Sequence, residues 1–73
     1  MSTIRDIFAD NLKQARRAKG WSQEELAHQA EIDRTYVSAL ERRVYSASID
    51  VVDRLAQVMG LTAADLLRVD RKP

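Results

Sequence analysis

Apolar residues recur every three or four positions along most of this 73-residue chain, the spacing that places them on one side of an α-helix. No stretch alternates apolar and polar residues over the length of a strand. Capping signals divide the pattern into five segments. The sequence therefore predicts an all-α, five-helix fold in a single domain over 1–73, with a core over about 4–68 and a short tail over 69–73.

Helix boundaries follow from local signals. The predicted helices run over 4–19, 23–30, 34–42, 49–59 and about 63–68. The N-terminal signals are two capping boxes and two single N-caps: Ser22 with Glu25, Thr62 with Asp65, Asp33, and Ser48. Gly20 and Gly60 stand where a helix is commonly ended by a left-handed residue. The predicted buried stripes begin at Ile4 in the first helix and at Ile49 in the fourth.

The third helix has two distinct faces when its residues are placed at 100° intervals. Its predicted core stripe consists of Tyr36, Val37, Leu40 and Val44. The opposite face carries Arg34, Thr35, Ser38 and Arg42, with the small Ala39 beside them. Solvated helix faces typically carry Glu and Lys, whereas an Arg-Thr pair leading the second of two closely joined helices suits a DNA major groove. From the residues alone, base reading and an ordinary polar face both stay open.

Charge is unevenly distributed although the net charge is only +1. The segment 13–43 carries +2, while 1–12 carries −1 and 44–73 is neutral. The middle segment includes a purely basic cluster of Lys13, Arg16, Arg17 and Lys19. Such a cluster is typical of a solvated helix face and is also compatible with a phosphate backbone.

Several classes of function lack the residues they require. There is no cysteine, so disulfides and thiolate metal sites are excluded. The lone His28 is read as a solvated or lightly packed residue and Ser22 as an N-cap, while Asp50 and Asp53 suit the first turn of a helix, where the dipole favours carboxylates. No nucleophile-base pair or phosphate loop is present. No apolar run reaches the roughly 18 residues that a membrane span needs. We expect a cytoplasmic protein that is not an enzyme and has no cofactor or metal.

Two longer strings resemble a known family. SQEELAHQAEIDRTYVSALERR, followed by SIDVVDRLAQVMGLTAADLL, is similar to the Cro and phage-repressor-like helix-turn-helix (XRE) family of DNA-binding regulators, over about residues 8–67. Within that family the DRTYVS stretch looks most like the controller proteins of restriction-modification systems. A phage or plasmid repressor is the alternative within the same family.

The resemblance implies a homodimer on a pseudo-palindromic double-stranded DNA operator, with RNA polymerase considered as a further partner and with no membrane or small-molecule effector. The implied base-reading residues are Arg34, Thr35, Ser38 and Ala39. The implied phosphate-binding residues are Gln23, Arg42, Arg43, Tyr45 and Ser46. The residues themselves add Tyr36, Lys13 and Arg17 as further phosphate-binding candidates. Arg16 and Glu41 correspond to a partly buried ion pair, and Leu61, Leu67 and Val69 are candidates for the dimer interface. The alternative of another class is an antitoxin-like or adaptor module that binds protein.

Glu31 and Arg43 depart from the family pattern, which commonly has glycine in a left-handed conformation at both places. A residue with a side chain costs roughly 1–2 kcal/mol in that conformation. A phosphate contact would compensate for the cost at Arg43, whereas the sequence suggests no compensation at Glu31.

Overall fold

The computed structural model describes residues 3–69, and the predicted tail over 70–73 lies outside them. Its five helices are α1 (Ile4–Ala18), α2 (Gln23–Ala30), α3 (Arg34–Glu41), α4 (Ile49–Val58) and α5 (Ala63–Leu67). The predicted all-α, five-helix fold is confirmed, and each predicted start is correct. α1, α3, α4 and α5 end one residue earlier than predicted, because the last predicted residue is in each case the C-cap.

The helix starts are stabilised by side chains that accept hydrogen bonds from otherwise unpaired backbone N–H groups. Ser48 and Asp33 act as the predicted N-caps, and Thr62 forms the predicted reciprocal box with Asp65. Ser22 accepts from the Glu25 N–H at 3.0 Å, but the Glu25 carboxylate accepts from Gln29 instead of reaching back. The box at α2 is therefore only half formed.

Four of the helices end in the same motif, in which two backbone N–H groups reach back to carbonyls of the last turn. At α3 the Arg43 N–H donates to Leu40 O at 3.2 Å and the Val44 N–H donates to Ala39 O at 2.9 Å. The residue that turns the chain is left-handed each time. These residues are Gly20, Glu31, Arg43 and Gly60, with φ of 74°, 59°, 66° and 75°.

The end of α5 is different, since a side chain from α1 satisfies its carbonyls. Asn11 donates through Nδ2 to the carbonyl oxygens of Leu66 at 2.9 Å and Arg68 at 2.8 Å. After this point the chain is extended, because Arg68 has φ −76° and ψ 134°. Asn11 thereby determines the direction in which residues 67–69 leave the core.

The core lies between the five helices, each of which contributes at least one buried side chain. Its fully buried large side chains are Leu12, Leu26, Val37, Leu40, Leu55 and Leu66. α2 packs on α3 and α4, and α1 packs on α3 and α5. Residues 3–69 contain no helix of the length and apolar character needed to cross a bilayer.

Three large apolar residues predicted to be buried are exposed, and so is the small Ala18 at the end of the stripe predicted for α1. Ile4 and Ile49 occupy the first positions of α1 and α4, and they remain 59% and 84% exposed because the core begins about one turn later, at Phe8 and Val52. Val44 is 54% exposed, because α3 has already ended and the left-handed Arg43 directs the chain away. Those predictions were wrong.

Candidate nucleic-acid interface

The outer face of α3 presents its polar side chains as predicted. Arg34, Thr35 and Arg42 are exposed and Ser38 is half-buried. Asp33 caps the helix by accepting from the Thr35 N–H at 2.7 Å, so the first turn is held in a defined position. Within residues 3–69, the Arg34 and Arg42 guanidinium groups make neither ion pairs nor hydrogen bonds, and their donors remain available.

Ala39 does not belong to this face. It is only 3% exposed. Around the helix it lies between the half-buried Ser38 and the core-facing residues. The resemblance implies Ala39 as a base-reading residue, but in this structure it packs against the rest of the domain. Its methyl group therefore offers almost no surface for reading a base.

A buried polar network connects α1, α2 and α3. Arg16 and Glu41 form the predicted pair, with Nε to Oε2 at 2.7 Å and Nη2 to Oε1 at 3.1 Å, and their side chains are 11% and 1% exposed. Arg16 Nη1 also donates to Trp21 O at 2.8 Å. Gln23, at the start of α2, donates through Nε2 to Glu41 Oε1 at 3.0 Å. The second N–H of that amide makes no hydrogen bond within residues 3–69 and is available as a donor.

The loop after α3 is held against α1. Arg43 pairs through Nε with Asp6 Oδ1 at 3.2 Å and through Nη2 with Asp10 Oδ1 at 2.6 Å. Arg5 Nε donates to the Ser46 hydroxyl at 3.0 Å. Because that hydroxyl acts as an acceptor there, its own proton is free to be donated.

Two aromatic rings join the same loop to α3. Tyr36 is half-buried, as expected for a ring that packs on the core, whereas Tyr45 is 57% exposed. Their ring centroids lie 6.4 Å apart with the planes inclined at 46°, within the range of favourable aromatic pairs. The ring pair therefore packs the loop after α3 against that helix.

Two basic residues of α1, Lys13 and Arg17, share a face with the two carboxylates that Arg43 contacts. Asp6, Asp10, Lys13 and Arg17 follow the i, i+4, i+7, i+11 spacing, which places them within about 60° around a helix. Lys13 is half-buried and Arg17 is exposed. This α1 charged stripe, defined by those four residues, is acidic at its start and basic at its end.

The three candidates for a dimer interface differ in exposure. Leu67 is 38% and Val69 is 54% exposed. Leu61 is half-buried against the core, contrary to the expectation that a monomer leaves it exposed. The Leu61 N–H donates to Ala56 O at 2.8 Å in the motif that ends α4, a motif whose last residue commonly folds back onto the helix.

An apolar groove of about 100 Å³ lies beside Leu67. Ile4, Phe8 and Val52 contribute to its walls, so it joins the first turn of α1 to the end of α5. Among residues 3–69, no three histidine, cysteine, aspartate or glutamate side chains converge as metal ligands.

Four residues of α1 have structural roles that were not predicted from the sequence. Arg5, Asp6 and Asp10 hold the loop after α3, and Asn11 holds the end of α5. Part of the signal was present: Thr3 and Asp6 have capping-box spacing, and the box forms. The spacing of Asp6 and Asp10 with Lys13 and Arg17 was equally visible. The partners could not be predicted, because they are remote in the chain. Asp10 contacts a residue 33 positions away, and Asn11 contacts residues 55 and 57 positions away.

Comparison with known proteins supports a single family. The HTH_3 (helix-turn-helix) family model matches residues 12–66. A hypothetical transcription factor of Neisseria meningitidis is 44% identical over 64 residues, which is 88% of this chain but only 60% of that protein. Control protein C.BamHI of Bacillus amyloliquefaciens is 34% identical over 67 residues, covering 90% of this chain and 83% of that protein.

Solved structures show the same likeness in three dimensions. The crystal structure of the hypothetical transcription factor NHTF from Neisseria matches with a TM-score of 0.88 and 42% identity, over 90% of this chain and 76% of that one. The restriction-modification controller protein C.Esp1396I, solved as a tetramer in complex with its natural 35 base-pair operator, matches with a TM-score of 0.81 and 26% identity, over 90% and 87% of the two chains.

Proposed function

The chain belongs to the HTH_3 helix-turn-helix family, and from that premise we propose that it is a transcription regulator that binds a specific double-stranded DNA operator as a homodimer. The observation that carries the proposal is the outer face of α3, where Arg34 and Thr35 are exposed at the first turn of a rigidly capped helix. An arginine there can bond to both O6 and N7 of guanine, and a threonine can contact a base through its hydroxyl or methyl group.

Base reading is assigned to Arg34 and Thr35, with Ser38 at the edge of the contact because it is half-buried. Phosphate binding is assigned to residues around that helix. Gln23 can donate the amide N–H that it does not use in its bond to Glu41, and Ser46 can donate its hydroxyl proton. Arg42 can donate all the N–H groups of its guanidinium. Tyr36 and Tyr45, whose rings pack together, are the proposed hydroxyl donors to phosphate. Lys13 and Arg17 supply charge from α1.

A second copy of the chain is the proposed partner at the groove beside Leu67. The groove and the exposed Ile4, Leu67 and Val69 leave apolar surface in contact with water, and a two-fold partner would cover it. A symmetric dimer would also place two copies of α3 about one turn of DNA, roughly 34 Å, apart.

A role as a controller of a restriction-modification system is the narrower proposal. It is supported by the identity with control protein C.BamHI and by the structural similarity to C.Esp1396I, which was solved on its operator. The DRTYVS stretch, from Asp33 to Ser38, agrees with it. A contact with RNA polymerase stays a prediction that rests on the same likeness.

The test is selection of duplexes from a random pool by the full chain, followed by titration of the selected duplex at several salt concentrations. The proposal expects one enriched pseudo-palindrome and an affinity that falls steeply with salt. A protein-binding module would enrich no sequence and show little dependence on salt. Sedimentation at increasing protein concentration tests the dimer separately, and Leu67→Glu should shift the chain to a monomer.

A further inference from the structure

The α1 charged stripe is negative at one end and positive at the other. Its basic end, Lys13 and Arg17, suits the phosphate backbone in the proposed function. Its acidic end, Asp6 and Asp10, would repel the same backbone. Asp10 lies one helical turn from Lys13, about 5 Å along the axis, which is within the screening distance of about 8 Å at physiological salt. A surface proposed to bind DNA therefore contains two carboxylates that need an explanation.

Arg43 provides that explanation. Its guanidinium contacts both carboxylates, at 3.2 Å from Asp6 and 2.6 Å from Asp10. It reaches them from a left-handed residue, with φ of 66°, at the first position after the cap of α3. The bond from Arg5 to Ser46 ties the same loop to the same helix three residues later. Three polar contacts thus connect the start of α1 with the loop over 43–46.

We propose that Arg43 is a positioning residue of this loop and not a phosphate ligand. Its guanidinium holds the loop on Asp6 and Asp10, and it neutralises the acidic end of the stripe so that Lys13, Arg17 and Ser46 can approach the backbone together. If Arg43 exchanged the carboxylates for a phosphate, the two aspartates would be left unpaired beside DNA. This inference rests on the proposed function, since it concerns the same surface.

The decisive variants are Asp10→Asn and the double variant Asp6→Asn with Asp10→Asn. If these carboxylates only repelled DNA or competed for Arg43, their removal would tighten binding. If they anchor the loop through Arg43, binding to the selected duplex weakens by about threefold or more in spite of the lost negative charge. The two mechanisms consequently predict opposite signs.

Asp53→Asn is the matched control, because Asp53 is an exposed aspartate of α4 whose carboxylate accepts from Gln57 at 2.8 Å and does not contact Arg43. It reports the effect of removing one negative charge alone. Circular dichroism and the unfolding midpoint of each variant establish that the helices are intact.

The second measurement is the dependence of affinity on salt. Arg43→Ala should weaken binding but leave the slope of log affinity against log salt unchanged, whereas loss of a phosphate contact lowers the magnitude of that slope by about 0.9. Arg17→Ala is the comparison, because Arg17 is proposed to contact a phosphate.

Tighter binding by Asp10→Asn, or a slope reduced by Arg43→Ala, would overturn the inference. A wild-type chain that selects no duplex overturns the proposed function itself, and is recognised before any variant is measured.

Discussion

Glu31 and Arg43 have the same backbone conformation, with φ of 59° and 66°, but their side chains differ in what they contact. Arg43 pairs with Asp6 and Asp10. The Glu31 carboxylate makes no hydrogen bond or ion pair with any residue from 3 to 69. Both residues end a helix in the conformation in which Gly20 and Gly60 end two others. The backbone cost is therefore similar at both, but only Arg43 has side-chain contacts that offset it.

Glu31→Gly should accordingly stabilise the protein by about 1 kcal/mol, because glycine adopts the left-handed conformation without the penalty of a Cβ atom. Arg43→Gly should gain less, since it also loses two ion pairs. Urea denaturation measures both. Glu31→Ala is the control, because it removes the charge and keeps the strain; equal stability of the alanine and glycine variants would contradict the explanation.

The buried network around Glu41 makes a larger contribution to stability. Glu41→Gln should lower the unfolding free energy by roughly 3 kcal/mol, since the Arg16 guanidinium would lose its counter-ion while remaining buried. Thermal denaturation followed by circular dichroism measures the loss. Glu24→Gln is the control, because Glu24 is exposed on α2, and it should change stability by less than about 0.5 kcal/mol.

Replacing both members of that pair separates charge from packing. Arg16→Met combined with Glu41→Leu should be more stable than Glu41→Gln, because no buried charge is then left alone. Gln23 would lose its acceptor in the double variant and hence its fixed orientation. A double variant less stable than the single one would show that the network, and not the isolated charge, dominates.

Asp65 makes part of the stability depend on pH. Hydrogen bonds from the backbone N–H of Thr62, at 2.9 Å, and from its hydroxyl lower the pKa of Asp65 below the ordinary 3.8, and Arg68 adds to the effect. Because the folded pKa lies below the unfolded one, the stabilisation is complete above the ordinary value and disappears as pH falls through the folded pKa. The difference in unfolding midpoint between wild type and Asp65→Asn should therefore shrink below a pH of about 4. A difference that stays constant with pH would contradict this contribution.

Base reading and phosphate binding should respond differently to mutation. Arg34→Ala should weaken operator binding by about 1–3 kcal/mol and relax the preference at one base position, whereas Lys13→Ala should weaken all duplexes to a similar extent. Binding to the selected duplex and to a scrambled one, measured side by side, distinguishes the two. An unchanged operator affinity for Arg34→Ala would show that α3 does not read the bases through this residue.

Asn11 should influence the dimer from a distance. Asn11→Asp removes both donors to the Leu66 and Arg68 carbonyls, which should cost about 1–2 kcal/mol of stability and release the segment that carries Leu67 and Val69. Sedimentation should then show weaker self-association. Gln14→Glu introduces the same change of charge at an exposed position of α1; if it weakens the dimer equally, charge and not the direction of the chain is responsible.

Local signals were enough for the five helices and most of their caps. A hydroxyl or carboxylate such as Ser48 or Asp33 acts on backbone N–H groups two or three residues away, and helical periodicity depends only on neighbours on the same helix. The Arg34, Thr35 and Arg42 face was predictable for the same reason. Its exposure follows from the position of the apolar stripe around a single helix.

Tertiary structure decided which residues have partners. Arg43 is paired with two carboxylates from the opposite half of the domain, and Asn11 ends a helix 55 positions along the chain. Ala39 is buried although the resemblance implies a base-reading role, and Ile49 is exposed although its apolar character suggested burial. The sequence by itself determined where the chain turns, because a cap needs only adjacent backbone. Only the packing of the helices determined which charges meet and which apolar groups remain in water, because both depend on distances between segments that are remote in the chain.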